Sequence, residues 1–302
     1  MLQDGTPRII DAHSHVWARD DGERFPLREK IAALQRDFAL DELRGLQDAN
    51  GVSGCVLVQA VDSVSESRRL LMLAQEDPRV LGVVCWADMS GPGLTDVLDE
   101  YRESPAFVGV RPMPADTFAP HWLSAETTRA ALRALRTADC TVDFLVPLEG
   151  LAALRATVRE HAGLRCVLNH CGRPAVMAGM SAGWRAEMNL LARETDIVVK
   201  CSGLVERAGV EWNRATLQPW VAHLLETFGA GRVMFASNWP ILTLASNYGL
   251  WLRTLQQILE DLRLDDDSVA DVLWRTAMRF YRLGERVPHY NFQPMDKEKP
   301  CH

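Results

Sequence analysis

The sequence predicts a single (β/α)8 barrel, a TIM barrel of the α/β class, and three observations support this prediction. Short apolar, β-branched runs alternate with longer amphipathic stretches along the whole chain. Eight such runs can be counted, and an alternation of strands with helices implies a parallel sheet. The chain has 302 residues, whereas a barrel of this kind takes about 250. Eight repeats over this length favour closure into a barrel over an open sheet.

The predicted elements follow one another in strict alternation. The predicted strands are residues 8–13, 55–59, 81–86, 107–111, 141–146, 165–169, 197–201 and 232–236. The predicted helices, whose apolar residues lie three or four positions apart, include residues 40–49, 65–76, 125–138, 150–161, 183–194 and 219–228. Several helix ends carry local signals, such as Ser65 before Glu66 and Gly229 as a C-cap. We therefore predict that residues 1–285 form the barrel.

The remaining segment, residues 286–302, is predicted to be a C-terminal tail. It contains proline, is rich in charged residues and shows no apolar period. Such a segment is expected to lie on the surface or to be disordered.

Composition limits the kinds of partner. The chain is 47% apolar and carries a net charge of −7, which argues against nucleic acid and anionic membranes because both require a basic surface. No apolar stretch approaches the roughly 18 residues of a membrane span, and residues 1–5 lack the features of a secretion signal. We therefore expect a cytoplasmic protein that binds a small molecule. Tryptophans on predicted exterior helices, Trp220, Trp251 and Trp274, leave homo-oligomerisation open.

Polar and aromatic residues cluster where the predicted strands end. In a (β/α)8 barrel the active site lies at the carboxyl ends of the strands. The residues at these ends are His13, His15, Gln59, Trp86, Arg111, Asp143, His170, Lys200 and Asn238. Since the runs that lead to them are apolar, we predict a polar site at this end of the barrel.

Three of these residues suggest chemistry by themselves. His13 and His15 are two residues apart on a strand, so both point to one face, which Asp11 shares. Such a pair suits metal ligation or donation to a carbonyl, and the alternative is two histidines bonded to loops. Lys200 is a charged residue in an apolar strand, so it either pairs with a carboxylate such as Asp11 or points its ammonium group at a ligand.

The strand-end motifs resemble those of the amidohydrolase superfamily. The motifs are DAHSHVW at 11–17, VQ at 58–59, GVVCW at 82–86, GVR at 109–111, LNHCGRP at 168–174, KCSGL at 200–204 and FASNWP at 235–240. They occur in order over nearly the whole chain, from about residue 9 to residue 283. Within the superfamily they resemble the lactonase branch that includes sugar-acid lactonases of the L-fuconolactonase type and 2-pyrone-4,6-dicarboxylate lactonase.

The resemblance implies a hydrolase that opens the ester bond of a small sugar-acid or related carboxylated lactone. In that branch, histidines of strands 1 and 6 and strand-end arginines surround the lactone carbonyl, and a strand-8 aspartate activates water. The corresponding catalytic residues of this chain are His13, His15, His170, Arg111 and, in the place of the aspartate, Asn238. Substrate contacts are expected from Gln59, Trp86, Asp143, Lys200 and Trp239. For Gln59, Trp86 and Trp239 the alternative is packing in the core or at the rim. Residues 206–213 follow strand 7 and are expected to contribute to specificity.

The resemblance also bears on metal. Members with two metal ions need an anionic ligand at strand 4 and a histidine at strand 5, where this chain has Arg111 and Asp143. We expect that no metal is required, as in the lactonase branch. A single Zn²⁺ on His13 and His15, with or without His170, stays open as an alternative, although it would lack the anionic strand-8 ligand.

Asn238 changes the expected mechanism, because a carboxamide has no basic site near neutral pH. Three hypotheses follow. In the first, hydrolysis persists, with a histidine or a metal-bound hydroxide as the base and Asn238 positioning water. In the second, a hydroxyl of the substrate attacks and a sugar lactone is isomerised by intramolecular acyl transfer. In the third, the protein is a non-catalytic ligand-binding relative. The sequence favours hydrolysis, since the other strand-end groups are all retained.

Overall fold

The computed structural model describes residues 9–19, 22–23, 29–113 and 120–286, which form one eight-stranded sheet in the order β1 to β8. The strands are β1 Ile10–Ser14, β2 Gly54–Val58, β3 Val80–Cys85, β4 Phe107–Val110, β5 Thr141–Phe144, β6 Cys166–Leu168, β7 Val198–Cys201 and β8 Val233–Phe235. Each strand pairs in parallel with the next. Just beyond β8, Asn238 and Trp239 make backbone bonds to His13 and His15. The predicted (β/α)8 barrel is therefore confirmed.

Helices separate the strands as predicted. They are α1 Leu40–Ala49, α2 Val64–Glu76, α3 Leu94–Arg102, α4 Glu126–Thr137, α5 Leu151–Glu160, α6 Ala182–Glu194, α7 Leu204–Ala208, α8 Arg214–Phe228, α9 Tyr248–Asp261, α10 Asp266–Ala270, α11 Thr276–Tyr281 and α12 Leu283–Arg286. The predicted start signal of α2 and the predicted start of α8 were wrong. Helix α2 is capped by Ser63, which accepts from the Glu66 amide at 3.1 Å, and α8 begins at Arg214, before the proline taken as its start. In α8 the Asn213–Thr216 capping box sets the start.

Two apolar layers hold the barrel together. One lies between the sheet and the surrounding helices and contains most of the large side chains. The other fills the barrel with small and branched residues of the strands and with residues of α11 and α12, including Phe280, Tyr281 and Leu283. Each large apolar side chain buried in this way contributes about 1.5 to 3 kcal/mol. The interior is therefore a packed core, and this leaves the strand ends as the place for a site.

Two tryptophans of the outer helices are buried, in contrast to what the sequence suggested. Trp220 and Trp251 are 3% and 1% exposed, so they pack inside the helical layer and do not form the exposed surface expected for self-association. Of the predicted tail, residue 286 ends α12 and residues 287–302 lie outside the described part of the chain. None of the described helices combines the length and the apolarity that a bilayer crossing needs.

Candidate active site

Two histidines form the centre of the site: His13 in β1 and His15 directly after this strand. The two Nε2 atoms of His13 and His15 lie 3.1 Å apart, and both residues are buried. His15 Nδ1 donates to the Val58 carbonyl at 2.7 Å, so Nε2 of neutral His15 is an acceptor. His13 therefore donates through Nε2, and its Nδ1 accepts from Lys200 Nζ at 3.1 Å. These bonds occupy every ring nitrogen of the pair and fix both tautomers.

Lys200 forms an ion pair inside the barrel. Its Nζ lies 2.6 Å from Oδ2 of Asp143, and both side chains are 0% exposed. The Tyr281 hydroxyl donates to Asp143 at 3.0 Å. Of the two alternatives that the sequence left for Lys200, pairing with a carboxylate is the one in the structure, but the carboxylate is Asp143. Through its second bond, Lys200 also orients His13.

Asp11 does not join the histidines as the strand alternation predicted. Its carboxylate accepts from Ser14 and Ser237 hydroxyls at 2.6 Å and from the Tyr248 hydroxyl at 3.0 Å. The pairing of β1 with β2 shifts register between Asp11 and Ser14, which breaks the simple alternation of faces. Asp11 thus ties the end of β1 to the end of β8 and to α9.

Arg111 is a buried guanidinium that the described residues leave without an ion-pair partner. Its Nη2 donates to the backbone carbonyl of Gln59 and, at 2.7 Å, to Gln59 Oε1. Its Nη1 lies 3.5 Å from His13 Nε2, and its buried Nε has no hydrogen-bond partner. Burial lowers the pKa of Arg111 to about 10, so it stays cationic at neutral pH. Gln59, expected to contact substrate, is fully buried and holds this side chain.

His170 enters the site from a turn after β6. Its Nδ1 lies 2.8 Å from Ser202 Oγ, whereas Nε2 makes no hydrogen bond to the described residues. The His170 ring lies 4.6 Å from the His13 ring, centroid to centroid. Gly203, with a φ of +70°, packs so closely that an added Cβ would lie 2.7 Å from His170 Cβ. Only glycine therefore allows the segments after β6 and β7 to meet here.

The histidines are neutral because of burial and of the surrounding cations. Burial lowers the pKa of His13 and His170 well below the usual value, and Lys200 and Arg111 lower both further. The pKa of His15 falls to about 3 through burial and the charge of Arg111. At neutral pH the cluster thus offers imidazole rings next to two cations, an environment that stabilises a developing negative charge.

Asn238 lies beside this cluster and contacts a carboxylate that the sequence prediction did not include in the site. Its Nδ2 donates to Glu206 Oε1 at 2.6 Å, and its side chain also raises the pKa of His15. Asn238 has a φ of +60°, a conformation that asparagine tolerates better than most residues. Glu206 lies in α7, within the stretch that the sequence linked only to specificity. Its position after strand 7 was the one available signal.

The aromatic candidates occupy different surroundings. Trp86 is half-buried and lines a cavity of about 300 Å³. Other lining residues are Asp88, Met89, Met113 and Trp122. The cavity reaches Pro112, next to Arg111, and its mixed polar and apolar lining suits a small polar ligand. Trp239, in contrast, is 1% exposed and packs edge-to-face against Phe38, so it supports the site from behind.

The donors do not suit a resident divalent ion. The spacing of the His13 and His15 Nε2 atoms would allow two ligands of one ion, but those atoms already share a hydrogen bond. The Arg111 and Lys200 cations adjoin the same imidazole, and a neutral amide, Asn238, occupies the strand-8 position. Within residues 9–19, 22–23, 29–113 and 120–286, no group of three or more metal-binding side chains is arranged to hold an ion. A zinc site needs such a set, and anionic donors strengthen it.

Neutral imidazoles, a buried guanidinium and the Glu206 carboxylate lie together at the strand ends of a (β/α)8 barrel. They define a hydrolase-like site of the amidohydrolase class. The chain belongs to the amidohydrolase family, whose sequence model matches residues 10–283. This confirms the family predicted from the strand-end motifs.

Relatives and solved structures agree with this membership. An L-fucono-1,5-lactonase of Burkholderia ambifaria is 31% identical over 277 residues, which cover 91% of this chain and 95% of the relative. An L-fucono-1,5-lactonase of Burkholderia multivorans is 28% identical, with 91% and 96% covered. The crystal structure of an amidohydrolase of Burkholderia multivorans with bound zinc superposes with a TM-score of 0.84 at 29% identity, covering 91% of this chain and 99% of that one.

Proposed function

We propose that this protein hydrolyses the ester bond of a small sugar-acid or related carboxylated lactone. The coarser assignment, a lactonase-like hydrolase of the amidohydrolase family, is supported by the two L-fucono-1,5-lactonases that match over nearly their whole length. The observation that carries the finer proposal is the buried guanidinium of Arg111 next to His13, which has no ion-pair partner among the described residues. A lactone turns into a tetrahedral oxyanion on attack, and a cation of this kind binds that oxyanion.

Each residue has a distinct part in this proposal. Arg111 donates to the carbonyl oxygen through Nη1 or Nε, and His170, whose Nε2 makes no hydrogen bond to the described residues, is the neighbouring donor. His13, whose ring nitrogens are both engaged, holds His15 in place. Removing one such donor from an oxyanion site costs about 2.7 to 4 kcal/mol of transition-state stabilisation. Lys200 and Gln59 position these groups, since they bond to His13 and Arg111. Trp86 and the cavity that it lines would accommodate the rest of the lactone.

A panel of aldono- and uronolactones tests the proposal. We expect acid release, followed with a pH indicator, at a kcat/KM of about 10⁴ M⁻¹s⁻¹ or more for the best substrate. NMR of the same samples reports ring size, so a change of ring size without acid would indicate isomerisation instead. No reaction with any member of the panel would contradict the proposal, as would thermal stabilisation by phosphorylated or nucleotide ligands alone.

We also propose that hydrolysis needs no metal, because the imidazole pair is already hydrogen-bonded and adjoins two cations. Treatment with a chelator followed by gel filtration is expected to leave kcat/KM unchanged, with substoichiometric metal by elemental analysis. Single Zn²⁺ binding at His13 and His15 is the alternative. This alternative would be established if chelation removed the activity, added zinc restored it, and the His13→Asn variant could not be restored by zinc.

A further inference from the structure

We propose that Glu206 is the general base of this enzyme and takes over the part that a strand-8 aspartate plays in related lactonases. This inference rests on the proposed lactone hydrolysis and names the group that accepts the proton. The carboxylate reaches the strand-8 position from α7, the short helix that follows β7, and Asn238 holds it there through the 2.6 Å bond from Nδ2 to Oε1.

The geometry leaves one oxygen of Glu206 for catalysis. Oε1 accepts from Asn238, whereas Oε2 is buried and has no hydrogen-bond partner among the described residues. A buried carboxylate oxygen without a donor is costly, and native proteins keep such groups mainly where a ligand or water completes them. The backbone N–H of the same asparagine donates to the His13 carbonyl at 2.9 Å, so Glu206 lies one residue away from the imidazole pair.

The histidines are less suited to the task. Both ring nitrogens of His13 and of His15 are engaged in hydrogen bonds, and nearby cations oppose protonation of each ring. His170 has a ring nitrogen without a hydrogen bond, but its pKa is also held well below the usual value. A weak base of this kind contributes little to water activation, because efficiency is greatest when the pKa is near the working pH.

The electrostatics of Glu206 fit the role. Burial raises the pKa of its carboxyl to about 7, and the hydrogen bond from Asn238 and the charge of Arg207 counter part of that rise. The turns Val176–Ala178 and Ile241–Leu244, which pack against α7, contain no charged side chain. On α8, Arg214 is paired with Asp261. A base with a pKa near 7 is the most effective one at neutral pH.

In the proposed step, Glu206 activates a water molecule that attacks the lactone. Oε2 of Glu206 takes one proton from water while the water oxygen forms a bond to the lactone carbonyl carbon. The carbonyl electrons move to its oxygen, next to Arg111. When the tetrahedral intermediate collapses, the ring C–O bond breaks, and the leaving alkoxide takes the proton from Glu206. The products are a hydroxyl group and a carboxylic acid, which ionises and releases one proton to solvent.

The decisive test exchanges the base between the two positions. We expect Glu206→Gln to lower kcat by about 10²- to 10⁴-fold on the best lactone of the panel and to remove the rise of kcat/KM with pH that is centred near pH 7 in the wild type. Adding Asn238→Asp to that variant places a carboxylate on the other side of the same hydrogen bond, so we expect kcat to recover at least about tenfold. Glu260→Gln, at an exposed glutamate near the end of α9, serves as the matched control and should behave like the wild type.

The outcomes separate the two proposals. If the wild type hydrolyses a lactone but folded Glu206→Gln keeps its rate and pH profile, the base assignment is wrong and the proposed function stands. If the activity is lost but Asn238→Asp does not restore any of it, Glu206 has another role and the inference is again overturned. If the wild type hydrolyses no lactone, both proposals fail. Near-ultraviolet circular dichroism of each variant shows that losses do not come from unfolding.

Discussion

Replacing Arg111 by methionine is expected to lower kcat/KM for lactone hydrolysis by about 10²- to 10³-fold, because it removes the buried cation that we propose binds the oxyanion. Methionine keeps much of the length and packing of the arginine stem. The substitution destabilises the fold by removing a donor from the Gln59 oxygens. It also relieves the cost of burying a charge that has no ion-pair partner among the described residues. We therefore expect a much larger effect on activity than on stability.

A second measurement separates an electrostatic role of Arg111 from simple packing. After burial, Arg111 is the largest cause of the low pKa of His15. In Arg111→Met the pKa of His15 should therefore rise from about 3, and NMR of the ring nitrogens can follow this change. Arg159→Met, at an exposed arginine of α5, is the matched control. Wild-type kcat/KM in folded Arg111→Met would refute the proposed oxyanion contact.

Replacing Lys200 by methionine is expected to destabilise the protein by about 3 to 5 kcal/mol, since it leaves the buried carboxylate of Asp143 without its countercharge. The free energy of unfolding, measured with urea, reports this directly. Because Lys200 also donates to His13 Nδ1, we expect kcat to fall as well, through loss of the tautomer that the hydrogen bonds select.

A double substitution distinguishes a broken ion pair from lost packing. Lys200→Met with Asp143→Leu removes both charges, so we expect it to recover most of the lost stability, as apolar replacements of buried pairs often do. Arg68→Met breaks the exposed pair with Glu100 and should leave the unfolding midpoint unchanged. Equal destabilisation by the single and the double core variants would show that the charge on Asp143 is not the cause.

The residues of the site illustrate which features were predictable. The chemistry of the strand ends followed from the sequence, because a parallel barrel brings all eight carboxyl ends to one side regardless of the details. His13, His15, Arg111 and Asn238 therefore meet as expected. The start of α8 was missed because Pro219 resembles a first helical residue, whereas the Asn213 capping box begins the helix earlier.

The partners of charged groups were less accessible to prediction. The sequence suggested Asp11 as a carboxylate partner of Lys200, whereas the structure pairs Lys200 with Asp143. Asp11 instead accepts hydrogen bonds from Ser14, Ser237 and Tyr248. Likewise, no sequence pattern relates Glu206 to Asn238, which are 32 residues apart. They meet because α7, after β7, packs against the turn Ile241–Leu244 that follows β8.

The sequence by itself determined the barrel, its family and the residue types at the strand ends, because apolar periodicity and strand-end motifs are local properties of the chain. Only the tertiary structure decided which charges pair, which histidine nitrogens are engaged and which carboxylate stands next to Asn238. The physical reason is that hydrogen bonds and pKa values depend on distances of a few ångströms between segments far apart in the chain. Those distances are set by register, by closure of the barrel and by the packing of its loops.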